Sequence, residues 1–304
     1  MNLAERAARR AEALGPSLRA MLWMVLCGLC FACLNAATRT ITADLHPWQT
    51  QCVRYFFGAV VILPLLLRGG GALLKTNNLR LQVARNLVHA VGSGLWFLAL
   101  PMVPLAEITA ISFTTPIFLT IGAMLFFGEK VRLRRWIAIL FGFLGVLIVL
   151  YPKLEIGISA TWSSLLLLAA APVSAASYLI AKVLMRYDAP QTIVFWQAML
   201  VSLFTLPAAL FYWLPMTGWH LALFVLIGML GSLGHYAFNR SLKAADVSAA
   251  QPARFLELVW ASILGFLVWG DVPPAWTFAG ALVIFGSTTY IAHREAMLAR
   301  RRPL

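Results

Sequence analysis

The feature that most constrains this chain is a succession of ten apolar runs. Each has about the ~20 residues that a helix needs to cross the ~30 Å hydrocarbon core of a bilayer. Because lipid cannot hydrogen-bond to a bare backbone, only helices or a closed barrel can span it, and runs of this length predict helices. The predicted spans lie near residues 20–38, 47–67, 81–100, 105–127, 133–151, 161–181, 191–213, 218–239, 247–269 and 274–292.

Composition agrees with a membrane protein and excludes other classes. Hydrophobic residues make up 61% of the 304 residues, and charged residues make up 12%. A soluble domain carries about 25% charged residues, so this chain could not coat a water-soluble globule of its size. Composition therefore excludes a water-soluble enzyme, a disordered protein and a fibrous repeat.

The formal net charge of +13 would suggest nucleic-acid binding in a soluble chain. Here nearly all basic residues lie between the apolar runs, where they act as topology signals. If the N-terminus is cytoplasmic, twenty Lys and Arg residues, with Arg85 among them, lie in inward segments and only Arg39 and Lys153 lie in outward ones. This asymmetry predicts cytoplasmic termini and no nucleic-acid partner.

Proline and glycine residues recur at matching positions in the two halves of the chain. Pro47 and Pro64 recur as Pro190 and Pro207 at a shift of 143 residues, and Gly92 recurs as Gly234 at a shift of 142. Five spans is an odd number, so a second copy must enter the membrane from the opposite side, as in many transporters.

The predicted fold is an all-α integral membrane protein with ten transmembrane helices, built from two inverted five-helix repeats. The repeats are expected at residues 20–151 and 161–292. A cytoplasmic N-terminal segment, residues 1–19, precedes them, and a basic cytoplasmic tail, residues 293–304, follows.

Short motifs in both halves resemble the drug/metabolite transporter superfamily, in its ten-helix branch with two EamA-type copies. Leu258 departs from the family pattern, which has proline there, and Phe31-Ala32 replaces its usual Trp-Gly. The motifs that carry the resemblance are Phe31 to Asn35, Pro47 to Arg54, Thr114-Thr115-Pro116, Phe127-Gly128-Glu129, Phe255-Leu256-Glu257, Trp269-Gly270-Asp271 and Gly280 to Gly286.

The resemblance implies a multi-pass protein of the bacterial inner membrane that exports small metabolites. Among such proteins amino-acid exporters are prominent, so a neutral or aromatic amino acid is the expected solute. Membrane lipid and this solute are the expected partners of a monomeric chain. No cofactor is expected.

Three charged residues lie deep in the predicted spans: Arg54, Arg254 and Glu257. A charge at the bilayer centre costs ~2.5–3.5 kcal/mol on insertion scales, so each must face the bundle interior or a wet cavity. Arg254 and Glu257 are three residues apart on one helix, which favours a structural ion pair over proton coupling or substrate binding. For Arg54, snorkelling to the outward surface is favoured over ligand binding. Glu107 is expected to be solvated at the outward rim.

Neutral polar and aromatic residues also fall within the spans. Each alone is best interpreted as a packing or hydrogen-bonding residue. Together they describe a pocket for a small amphipathic solute. The candidate pocket residues are Asn35, His89, Trp96, Tyr178, His235, Tyr236 and Asn239.

Several alternatives remain open at this stage. A drug exporter working by proton antiport is the first, although the small four-helix type would need a carboxylate in the first span, which has none. A membrane enzyme is disfavoured because the chain lacks G-x-S-x-G, H-E-x-x-H and a phosphate-binding loop. Sensors and channels are the remaining alternative classes of membrane protein. The four cysteines lie in apolar runs, which predicts neither disulfides nor a metal site.

Overall fold

The computed structural model describes residues 16–68, 71, 74–127, 133–156, 158–244 and 256–300. Throughout these residues the chain is helical, with no β-strand. The helices are α1 Pro16–Ile41, α2 Pro47–Arg68, α3 Leu79–Ala99, α4 Leu105–Ser112, α5 Thr115–Phe127, α6 Leu133–Ile156, α7 Ile158–Leu184, α8 Pro190–Phe211, α9 Gly218–Ala244, α10 Leu256–Trp269 and α11 Ala275–Arg300.

Six helices are long and apolar enough to cross a membrane: α1, α2, α3, α7, α8 and α9. Four shorter apolar segments accompany them, at Leu105–Leu119, Leu140–Val149, Leu256–Trp269 and Ala275–Ser287. Within the described residues, six of the ten predicted spans are thus helices of spanning length, and the full set of ten stays a prediction.

The fourth apolar run is two helices rather than one, because α4 ends at Ser112 and α5 begins at Thr115. Pro116 has no N–H with which to continue the helical ladder back to the carbonyl of Ser112. The backbone N–H of Thr114 bonds the carbonyl of Ile111 at 3.0 Å, and the Thr114 hydroxyl donates to the same carbonyl at 2.7 Å. The break is therefore hydrogen-bonded locally.

Helix α4 lies at the centre of the bundle. Every residue from Leu105 to Ile111 is buried, and α4 packs against α6, α7, α10 and α11. The largest apolar cluster surrounds it, with Leu105, Ile108 and Ile111 fully buried among Val146, Leu258 and Ile284, and others.

The helices of the first half can be matched in order to those of the second half. Helix α1 then corresponds to α7, α2 to α8, α3 to α9, α4 with α5 to α10, and α6 to α11. With this matching, several contacts between helices recur between their counterparts. Helix α1 packs on α9, and α3 packs on α7. Helix α2 packs on α9, and α3 packs on α8. Helices α2 and α8, and likewise α6 and α11, pack on their own counterparts.

The two ends of the bundle are each joined by polar contacts between the halves. At one end, named here the Arg39 end, Arg39 forms an ion pair with Asp271. Gln49 there exchanges hydrogen bonds with the backbone of Leu214, at 2.8 and 2.9 Å. At the other, the Asp188 end, the Asp188 carboxylate accepts from the backbone N–H of Asn77 at 2.8 Å and from Gln82 at 3.0 Å.

The glycines of α9 pack against three different neighbours. A Cβ on Gly228 would lie 2.8 Å from the backbone of Phe57 and Gly58, so α2 and α9 touch backbone to backbone there. A Cβ on Gly231 would strike the side chain of Arg54, and one on Gly234 would meet the ring of Phe31 at 3.0 Å. Only Gly228 is therefore required for close helix approach.

Replacing Gly228 with alanine should therefore lower stability by about 1–3 kcal/mol, because α2 and α9 must separate to admit the methyl group. Gly286 of α11 is the matched control, since nothing lies within 4 Å of a Cβ there. Gly286→Ala should leave the melting temperature unchanged or raise it slightly. Thermal unfolding in detergent, followed by light scattering or intrinsic fluorescence, measures both. Equal melting temperatures for the two variants would contradict the close approach.

Candidate functional site

The structure contains a cavity between the two halves of the bundle. It encloses roughly 860 Å³ of atom-free space, including its open mouth. Helices α1, α2, α3, α4, α5, α7, α9 and α10 all contribute to its walls. The aromatic part of the wall consists of Phe31, Tyr55, Trp96, Phe97, Tyr178 and Phe238.

Most of the candidate site residues from the sequence meet at this cavity. Asn35, His89, Trp96, Tyr178 and His235 line it, together with Arg54 and Glu257. Tyr236 and Asn239 do not line it. Arg254 lies outside the described residues. The sequence pattern thus selects residues that the fold brings together, although two of them lie elsewhere.

Helical geometry explains why Tyr236 points away from the cavity, whereas Asn239 lies on the same side of α9 as His235 but further along the helix. Tyr236 follows His235 on α9, and one residue turns a helix by ~100°. Its ring therefore packs edge-on against Trp23, with centroids 5.9 Å apart, instead of facing the cavity. Asn239 is buried one turn beyond His235, and its side-chain nitrogen has no hydrogen-bond partner.

A buried hydrogen-bond network is centred on Gln197 of α8, beside the cavity. Its side-chain oxygen accepts from Arg85 Nη2 at 2.8 Å. Its side-chain nitrogen lies 2.7 Å from His89 Nε2 and 3.2 Å from His235 Nε2. One amide therefore joins α3 of the first half to α8 and α9 of the second.

The network also determines how both imidazoles are protonated. A guanidinium can only donate, so the Gln197 oxygen must face Arg85 and its NH₂ group must face the two histidines. Both Nε2 atoms then accept, which places the single ring proton on Nδ1. In His89, Nδ1 lies 3.2 Å from the Ser177 hydroxyl, which can accept that proton. The Tyr55 hydroxyl, 2.9 Å from His89 Nε2, completes the polar surroundings of this ring.

Arg54 differs from the expectation of a snorkelling side chain. Its exposed fraction is only 4%, and it lines the cavity instead of reaching the membrane surface. Its Cζ lies 4.1 Å from the centroid of the Tyr55 ring. Its Nε is buried without a hydrogen-bond partner.

Glu257 is 8% exposed and lines the cavity from the first turn of α10. A Cβ on Gly28 would lie 3.3 Å from the Cβ of Glu257, so α1 and α10 approach closely at this point. The expected pair with Arg254 stays a prediction, because Arg254 falls outside the described residues.

Glu107 and Arg85 lie in the interior, contrary to the sequence-based expectations. Glu107 is 6% exposed and accepts a 2.7 Å hydrogen bond from Ser164, so it is not solvated at a rim. Arg85 was assigned to a cytoplasmic segment, but α3 begins at Leu79 and Arg85 is 1% exposed. Both are tolerated because polar neighbours on other helices supply hydrogen bonds.

Sequence reasoning missed Gln197 and Tyr55, which lie within hydrogen-bonding distance of His89. Both belong to the second span of their half, whereas the neutral candidate residues were taken from spans one, three, six and eight. One signal was present: the 143-residue shift that relates the prolines also aligns Arg54 with Gln197.

We expect Gln197→Leu to destabilise the protein by about 2–3 kcal/mol, because it leaves the buried Arg85 guanidinium without its shortest acceptor. The matched control is Gln191→Leu, the same substitution six residues earlier on α8. Within the described residues the Gln191 side chain makes no hydrogen bond. Thermal unfolding of both variants in one detergent measures the difference. A Gln197→Leu protein as stable as the control would show that the network contributes nothing to stability.

Comparison with known proteins identifies transporters that are similar to this chain over most of its length. A riboflavin transporter of Rhizobium johnstonii is 34% identical over 286 residues, which cover 93% of each chain. An S-adenosylmethionine uptake transporter of Rickettsia felis is 28% identical over 96% of this chain and 98% of the relative. A pseudopaline exporter of Pseudomonas aeruginosa is 25% identical over 87% of this chain and 92% of the relative.

A known crystal structure superposes with a TM-score of 0.66 at 17% identity, covering 93% of this chain and 99% of that chain, and so shares its fold. Residues 18–151 and 161–292 each match the EamA-like transporter family. Together these matches cover most of the chain and confirm the resemblance seen in the sequence motifs. The protein therefore belongs to the EamA-like transporter family, within the drug/metabolite transporter superfamily.

Proposed function

We propose that this membrane transporter carries a small solute with a planar ring through the cavity between its two halves. The observation that carries the proposal is the cavity wall, where aromatic rings alternate with a few polar groups such as Asn35 and Ser93. Flat aromatic walls accommodate a planar ring, and sparse polar groups fix its orientation.

Riboflavin is the first solute to test. Its isoalloxazine ring is flat and large, and its edge carries carbonyl and imide groups that Asn35 and Arg54 could meet. The riboflavin transporter of Rhizobium johnstonii supports this choice by its similarity over nearly the whole chain. The sequence resemblance suggested amino acids instead, but the names of the relatives above do not mention them.

A second candidate is a zwitterionic solute with an amino-acid group. Arg54 and Glu257 both line the cavity, so the α-carboxylate and α-ammonium of such a solute would face a wall that carries a cation and a carboxylate. The S-adenosylmethionine uptake transporter among the relatives favours this candidate, because its solute combines a ring with an amino-acid group.

We further propose that the chain works by alternating access as ten spans in two inverted repeats, residues 20–151 and 161–292. The exchanged helix contacts support this arrangement, because the contacts of α9 with α1 and α2 have counterparts in the contacts of α3 with α7 and α8. A carrier of this kind follows the solute gradient. The export expected from the sequence and the uptake by a relative are then two directions of one cycle.

Uptake of labelled riboflavin and of labelled S-adenosylmethionine into proteoliposomes tests the proposed function. Trp96→Ala should reduce uptake about tenfold or more, since base or ring stacking on one aromatic side chain contributes ~1–3 kcal/mol. Trp219→Ala is the matched control, because Trp219 is 63% exposed at the start of α9, away from the cavity. Uptake by Trp96→Ala at the control rate would remove Trp96 from the site. Failure of the wild type to move either solute would reject the proposed ring class.

The proposed orientation places both termini in the cytoplasm. Reporters fused after residues 75, 131 and 304 should therefore read cytoplasmic, and those after 43, 156 and 215 should read external, because of the charge asymmetry. Paired phosphatase and fluorescent-protein fusions in a bacterial host measure this. An external signal from a well-expressed fusion at residue 304 would refute the ten-span topology.

A further inference from the structure

We propose that Arg54 is an oxyanion subsite, which binds a carboxylate or a phosphate of the transported solute. The proposal rests on the proposed function, since it takes the cavity to be where the solute binds. It adds the chemical class of one solute group and names the side chain that recognises it.

The first argument is the charge of Arg54 and its surroundings. The side chain is 4% exposed, and no carboxylate of the described residues lies within ion-pair distance of it. Its guanidinium lies over the face of the Tyr55 ring, with Cζ 4.1 Å from the ring centroid. A buried cation is costly unless an anion or good acceptors compensate it. The described protein supplies neither, so a bound anion is the natural partner.

Arg85 provides the internal comparison. It is also an arginine buried within the bundle, but three neutral acceptors surround it: Gln197 at 2.8 Å, with the Asn86 side chain and the Ile193 carbonyl at 3.4 Å. It lines neither this cavity nor the smaller gap beside it. The terminal nitrogens of Arg85 thus have protein acceptors and only its Nε lacks one, whereas Arg54 borders open space and no described residue accepts a hydrogen bond from it.

The position of the Arg54 guanidinium depends on Gly231. A Cβ at residue 231 would lie 2.1 Å from Arg54 Nη2 and 2.8 Å from Cζ, so only glycine leaves room for the group. The guanidinium borders the cavity on one side and a smaller gap, lined by Gly58, Gly231 and Ser232, on the other. It is therefore placed at the cavity wall by the packing of α2 against α9.

A guanidinium prefers ligands with two coplanar oxygens, because its N–H groups form a rigid fork. Carboxylates and phosphates both offer such oxygens, and these two sources share the same recognition. The aromatic walls nearby would hold a ring attached to that group. The expected solute is therefore a ring-bearing organic anion or zwitterion.

Two matched probe pairs test the subsite in purified protein. Riboflavin 5′-phosphate and riboflavin differ by a phosphate, and L-tryptophan and L-tryptophanamide differ by a carboxylate. Apparent affinities follow from ligand-dependent shifts in melting temperature. The wild type should prefer the oxyanion member of at least one pair about tenfold or more, the range of a charge-assisted hydrogen bond. The pair that responds distinguishes phosphate from carboxylate recognition.

Arg54→Gln should abolish that preference. Without ligand, it should melt no lower than the wild type, because it removes an uncompensated buried charge. Gly231→Ala keeps the charge but displaces the guanidinium, so it should weaken the preference even if Arg54→Gln folds poorly. Arg39→Gln is the matched control: it breaks the ion pair with Asp271 outside the cavity and should retain the full preference.

Three results would overturn the subsite. These are no oxyanion preference in the wild type for either pair, a preference that persists in Arg54→Gln, or one that persists unchanged in Gly231→Ala when Arg54→Gln does not fold. The proposed function fails separately. If flavins are transported without any charge preference, the subsite is wrong and the ring-carrying function stands. If only the tryptophan pair binds, and with the preference, the subsite stands and the flavin assignment is wrong.

Discussion

The interior of this bundle depends on one constraint: polar groups removed from water must find their partners on neighbouring helices. The side chain of Gln197 meets that constraint for three residues, because it accepts from Arg85 and donates to His89 and His235. Those residues belong to both halves of the chain. A single neutral amide thus fixes the relative position of α3, α8 and α9, and with it one wall of the cavity.

The helical fold could be predicted from the sequence because each apolar run must satisfy its own backbone in lipid, without help from the rest of the protein. The predicted span 47–67 accordingly lies within α2, Pro47–Arg68. The break between α4 and α5 was not predicted, although Pro116 was visible. A proline within a membrane helix can kink or interrupt it, and the surrounding packing decides which.

The site was predictable only in part, for a physical reason. Polar residues within spans must face inward, so Asn35, His89 and Trp96 could be selected from the pattern alone. Which partner each one meets is set by tertiary packing. Arg85 and Gln197 are 112 residues apart, and nothing local indicates that one satisfies the other. The same limit explains why the burial of Glu107 was missed, since its partner Ser164 lies 57 residues further on.

The repeat shifts also relate two contacts with different chemistry. At a shift of 143 residues Arg54 aligns with Gln197, and at a shift of 142 residues His89 aligns with Gly231. Arg54 lies against Gly231, and Gln197 lies against His89, so the same pairing of positions occurs twice. In one contact the neutral side chain of Gln197 meets the imidazole of His89. In the other contact the charged side chain of Arg54 lies against Gly231, which has no side chain to hydrogen-bond with it. The duplication thus contains the same contact once with a hydrogen-bonding partner and once without.

The chemistry of the two bundle ends has a consequence for how the protein responds to its surroundings. The Arg39 end is held by an ion pair and by a His220–Asp44 contact at 3.2 Å in which the Asp44 side chain is 64% exposed. At the Asp188 end a buried carboxylate accepts hydrogen bonds from neutral donors instead. Dissolved salt screens exposed charges over ~8 Å at physiological ionic strength, but it hardly affects buried hydrogen bonds to neutral groups. Rising salt concentration would therefore weaken the contacts at the Arg39 end more than those at the Asp188 end.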